Sequence, residues 1–109
     1  MLNRSLVIVR AKEPFREWLL SLPDSCGETI EELNEDSSVY LLPEFEDDKQ
    51  RDTMLKKFFA MIFEDQLAAW WTQEDDWPQK RNLQMFKKWF DVEFHSTVDD
   101  LVDGVLLDQ

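Results

Sequence analysis

The chain's one histidine, His95, lies in the stretch DVEFHSTVD, where Asp91, Glu93, His95, Thr97 and Asp99 recur at every second position. An extended strand turns alternate side chains to one side, so this spacing predicts three carboxylates and an imidazole along a single face. Carboxylates with an imidazole can hold a divalent cation, and a carboxylate can also orient a histidine as a general base. His95 and Glu93 are therefore the candidates for catalysis, and Asp91, Glu93, His95 and Asp99 the candidates for metal binding. The plainer expectation is a solvated strand face without metal or cofactor, because no second imidazole accompanies His95.

The other clusters point less clearly to chemistry. Glu44, Glu46, Asp47 and Asp48 superficially suggest calcium, but Phe45 interrupts them and the central glycine of a calcium loop is missing. They read instead as an acidic loop leading into a helix, and Glu74, Asp75 and Asp76 read as a solvated turn. The single cysteine, Cys26, excludes an intramolecular disulfide, and the neighbouring Asp24 and Glu28 disfavour a reactive thiolate. With two glycines there is little room for a phosphate-binding loop, and no nucleophile elbow or zincin helix appears. A non-enzymatic role is the expectation.

The stretch LAAWWTQEDDWP places Trp70, Trp71 and Trp77 around carboxylates. Tryptophan beside charge is typical of protein interfaces, and also of small cores filled with large rings. At 100° per residue Trp70 falls in the sector of Phe59 and Phe63 and is expected in the core, while Trp71 points further round. Trp77 can fold back on the helix end as an aromatic cap. The alternative is an exposed Trp71/Trp77 pair that binds a partner.

These residues need elements to position them. Ser5–Ala11 is a continuous apolar run, expected as a central strand covered on both faces. Phe15, Trp18, Leu19 and Leu22 follow a helical stripe after Pro14, and Thr29 with Glu32 suggests a capping box for one further turn. SVYLL reads as a second strand. Asp47 or Asp48 caps a long helix reaching to about Trp71, with Leu55, Phe59, Ile62, Phe63, Ala69 and Trp70 inward and Phe58 on the flank. Gln66 falls within that stripe and needs a hydrogen-bonding partner. Asn82 caps a helix carrying Leu83, Phe86, Trp89 and Phe90, and residues 91–99 form the last strand.

The resulting order, β-α-(α)-β-α-α-β, predicts an α+β fold. Its three-stranded sheet has order 2-1-3 and is mixed or parallel, because the connections are long enough for crossovers, and three main helices pack mainly on one face. The 109 residues suit one globular domain, with residues 103–109 expected as a loose tail. VIVRAKEPFREWLLSLP, ELNEDSSVYLLPEFEDD and the blocks from WWTQEDDWP to FKKWFDVEFHS resemble an uncharacterised family of small acidic bacterial proteins, across nearly the whole chain. That resemblance implies a bacterial cytosolic domain and brings no functional residue.

The net charge of −12 is concentrated. Residues 23–48 hold ten acidic and no basic side chains, and residues 91–109 hold six and none. Such surfaces repel nucleic-acid backbones and anionic membranes, and favour a basic protein partner. Mimicry of nucleic acid is a further expectation from this charge, although the carboxylates form no continuous ladder. The apolar run at the N-terminus is too short for a signal peptide or a membrane span, which points to the cytoplasm.

Overall fold

The computed structural model describes residues 4–23, 25 and 27–102. Asp24, Cys26 and the expected tail lie outside the described residues. In order come β1 (Arg4–Ala11), α1 (Glu13–Leu20), α2 (Ile30–Leu33), β2 (Ser38–Pro43), α3 (Asp48–Trp70), a 3-10 turn (Glu74–Asp76), α4 (Leu83–Trp89) and β3 (Phe90–His95). The class is α+β.

The capping signals work as their chemistry dictates. Thr29 Oγ1 accepts from the Glu32 amide at 3.1 Å, Asp47 Oδ1 from the Gln50 amide at 2.8 Å, and Asn82 Oδ1 from the Met85 amide at 2.9 Å. Each satisfies a donor that the first turn of a helix otherwise leaves bare.

The strand order is β2-β1-β3, and both pairings are antiparallel. The expectation of a mixed or parallel sheet is thereby overturned. Long connections permit crossovers but do not require them, and here each brings the chain back to the end it must start from. After β1, the α1–α2 excursion returns to the same end of the sheet. There Asn34 binds the last residue of β1 through both arms of its amide: Oδ1 accepts from the Ala11 amide at 2.8 Å, and Nδ2 donates to the Ala11 carbonyl at 3.0 Å. The side chain thus extends the ladder by one rung, and β2 starts beside it with Ser38 opposite Val9. At the far end the buried Ser5 hydroxyl accepts the Phe45 amide at 3.3 Å, which steers the chain toward α3. The single traverse of α3 carries it back, so β3 begins with Phe90 opposite Ala11.

Among the described residues, helices cover one face only. Val7, Val9, Leu42 and Phe90 join Phe15, Leu55, Ile62, Phe63, Leu67 and Phe86 in a single core cluster. Leu6 and Ile8, on the other face of β1, stand outside that cluster and are only half-buried, so the expectation of a strand covered on both faces is corrected. The second face is shielded sideways by neighbouring strands, without a layer above it among the described residues.

Three positions on α3 depart from the expected stripe. Leu67 is fully buried, whereas Ala69 is exposed and Trp70, placed in the core by its angle, is 42% exposed. Ala69 and Trp70 instead line a gap whose other wall is Val9, Ala11, Phe15 and Asn34, so their core-facing angle meets open space and not packed side chains.

The rung at Ala11 gives a direct test. Asn34→Ala leaves a strand N–H and C=O without partners and is expected to cost about 1–3 kcal/mol. Asn34→Asp, which keeps the acceptor but sets an oxygen against the Ala11 carbonyl, is expected to cost at least as much. Urea unfolding of the two variants measures both, and a neutral Asn34→Asp contradicts the assignment.

Candidate functional site

Side chains of β3 alternate, so Asp91, Glu93 and His95 lie on the sheet face without helices. The structure brings Glu93 and His95 together, with His95 Nε2 2.7 Å from Glu93 Oε2. The other Glu93 oxygen lies 3.4 Å from Arg10 Nη1, and Asp91 lies 3.7 Å from Lys12 Nζ, both cations belonging to the β1 side of the sheet. The His95 hydrogen bond, with the Arg10 charge behind it, holds the Glu93 carboxyl below the usual carboxylate range. Its contribution to stability is present above that range and fades as pH falls through the lowered value. The strand ends at His95, so Asp99 is not carried on the same ladder. Among the described residues no three His, Cys, Asp or Glu side chains gather in a way that would hold a metal ion. What the array forms is a cross-strand ion-pair row at the water surface.

The tryptophan turn is tied together by its own polar atoms. Trp77 Nε1 donates to the Trp71 carbonyl at 2.8 Å, capping the end of α3, and Trp71 Nε1 donates to Asp76 Oδ2 at 2.9 Å. The Asp76 backbone carbonyl accepts from Trp18 Nε1 at 3.0 Å, binding the turn to α1. The Arg81 guanidinium stands 5.7 Å from the Trp77 ring and 5.9 Å from Phe63, and pairs with Glu64 at 3.2 Å. Trp77 is buried, Trp71 half-buried and Trp70 the exposed member. Asp76, which looked like part of a solvated acidic turn, organises two indoles.

A different surface stands out, on β2. The odd-numbered residues of β1 direct their backbone groups toward β2, as Ala11 does toward Asn34, whereas the Lys12 amide donates to the Trp89 carbonyl on the β3 side. Alternation then makes Ser38, Tyr40 and Leu42 the residues of β2 that bond β1. Val39 and Leu41 turn their N–H and C=O groups to the outer edge, and their side chains to the open sheet face at 54% and 47% exposure. No strand pairs with that edge among the described residues.

On the helix side of the same edge, a cleft of about 560 Å³ runs where β2 meets the flank of α3. Tyr40, Leu41, Phe58, Met61 and Asp65 line it, and Trp77 reaches it as well. Met61 is 70% exposed. The Tyr40 hydroxyl donates to Asp65 Oδ2 at 2.5 Å and accepts from Gln66 Nε2 at 2.8 Å, which answers the need of the one polar residue in the helix stripe. Burial, then the Asp65 carboxylate, push the phenol up to about 12. Tyr40 is thus a fixed neutral hydroxyl in the cleft wall.

The residues of this edge were not singled out from the sequence. A signal was present: Val39, Tyr40, Leu41 and Leu42 are apolar on both faces of a strand, and a single layer of helices covers only one. Comparison with family models, with curated proteins and with solved structures finds no match to this chain. The candidate site therefore stands on its geometry alone.

Two measurements test this arrangement. Tyr40 is the chain's one tyrosine, so the rise in phenolate absorbance over the constant tryptophan background belongs to it alone. The expected midpoint is about 12 in the folded protein, against an ordinary value of 10.0. Because the folded value is the higher, the associated stability is complete below the ordinary value and declines as pH rises toward the raised one. Tyr40→Phe is expected to remove that alkaline decline. In thermal melts, Trp77→Ala is expected to cost about 3–5 kcal/mol and Trp70→Ala about 1 kcal/mol or less. The reverse ranking refutes the cap.

Proposed function

We propose that this chain is a non-enzymatic protein-interaction or regulatory domain of the bacterial cytoplasm, acting on a basic protein partner. The observation that carries the reading is the uncharged edge strand β2, apolar and open, set between acidic segments. Residues 38–43 contain no charged side chain, whereas Glu35 and Asp36 precede them and Glu44, Glu46, Asp47 and Asp48 follow. An apolar centre rimmed by charge is the usual anatomy of a protein interface. The sign of the rim favours a cationic partner and raises its rate of encounter. No helix of the described residues is long and apolar enough to cross a membrane.

Capture from a bacterial lysate on the immobilised chain tests the proposal. A basic protein is expected at near-stoichiometric yield in roughly 0.15 M salt, where the Debye length is about 8 Å. In about 1 M salt, where that length falls to roughly 3 Å, the yield is expected to fall without vanishing, because the apolar centre persists. Complete release would mark a purely ionic association of the nucleic-acid-mimic kind. The absence of any stoichiometric protein at either salt concentration counts against a binding role.

A further inference from the structure

We infer that the outer edge of β2 binds an extended, lysine- or arginine-flanked apolar segment of the partner protein as a fourth strand of the sheet. The inference rests on the protein-binding reading above and adds the place and the mode of binding.

The two edges of the sheet differ in a way that bears on use. On β3 the open-face side chains are Asp91, Glu93 and His95, engaged with Arg10 and Lys12, and charge of this kind discourages a further strand. On β2 the corresponding side chains are Val39 and Leu41. Their backbone groups face outward, ready to continue the ladder, and Pro43 at the strand end limits the rungs without blocking Val39 or Leu41. A strand added here would set alternate side chains beside Val39 and Leu41 on the open face. The intervening ones would lie over the cleft, against Tyr40, Phe58 and Met61.

Charge selects among the possible occupants. A second copy of β2 pairing antiparallel would place Glu35 and Asp36 of one copy beside Glu44 and Glu46 of the other, and a parallel copy would stack each acid on its twin. Like charges repel in either register. The chain's own C-terminal residues 103–109 bring Asp103 and Asp108 and no cation, so they meet the same repulsion. A partner segment with cations at both ends of a short apolar run meets Glu35 and Asp36 at one end and Glu44 and Glu46 at the other, in either strand direction. Asp65 adds a carboxylate on the cleft side, while Lys57 is drawn over the Phe58 ring with its ammonium 5.5 Å away.

The test uses a fluorescein-labelled nonapeptide, two lysines, then valine and isoleucine alternating over five positions, then two lysines. Three comparisons accompany it: the peptide N-methylated at alternate residues, which loses strand donors but keeps its charge; a glutamate-flanked version; and the protein variant Val39→Lys/Leu41→Lys, checked for folding by its melt. Saturable anisotropy with the wild type is expected. N-methylation or the double variant should weaken it by about tenfold or more, and the glutamate-flanked peptide should not bind. Equal binding to the wild type and the double variant, or by the N-methylated peptide, overturns the edge site and leaves the broader binding role intact. No binding to the wild type also overturns it, with lysate capture still deciding that role. Sedimentation of a concentration-dependent dimer that the double variant abolishes gives the edge to a second copy and overturns the inference as well.

Discussion

The ring of Phe63 is the point on which α3, α4, β3 and the segment before α4 meet. It is fully buried, with Phe86, Phe90 and Trp89 at centroid distances of 5.8, 5.4 and 5.6 Å and the Arg81 guanidinium at 5.9 Å. Phe15 joins α1 to the same group, 5.2 Å from Phe90 and 6.2 Å from Trp89. Tilted and edge-on ring pairs of this kind add to the burial of area and fix relative orientation. With α3 held by this side of its circumference, its opposite flank, bearing Phe58, Met61 and Asp65, is left beside β2. The cleft is the geometrical remainder of a core gathered toward the other strands.

Local chemistry made much of the fold legible. Thr29, Asp47 and Asn82 announce their helices because a cap needs only residues three positions away, and Gln66 announced a need that Tyr40 meets from the adjacent strand β2. Strand direction was not legible, since it depends on where each helical excursion returns and on the Asn34 amide finding Ala11. Trp70 shares an angular sector with Phe63, and the wheel does not record that the space between the end of α3 and the end of β1 is left unfilled. The Asp91, Glu93, His95 face was legible as a face. Its carboxylates turn to Arg10 and Lys12, partners that no spacing within β3 discloses.

The same difference separates the two candidate surfaces. The Trp71/Trp77 turn drew attention because rare residues crowd together in sequence, and the structure spends their polar atoms on each other, on Asp76 and on the end of α3. The edge of β2 is built from common residues, Val39 and Leu41, and its interest comes from which backbone groups remain outside the ladder, and which sheet face has no cover, among the described residues. Neither property belongs to a residue type. Both belong to a position in the sheet.

The acidic segments that bracket β2 have a consequence for the behaviour of the chain in concentrated solution. An unpaired apolar edge is a template for runaway self-association, and natural sheets usually disarm it with charge placed on the strand itself. Here the strand carries none, and the work falls to carboxylates on either side of it. Colloidal stability is therefore conditional on those groups being ionised and unscreened. Acidification or high salt weakens the repulsion between copies while leaving the ladder geometry unaltered, so under those conditions the edge is expected to template sheet-to-sheet growth.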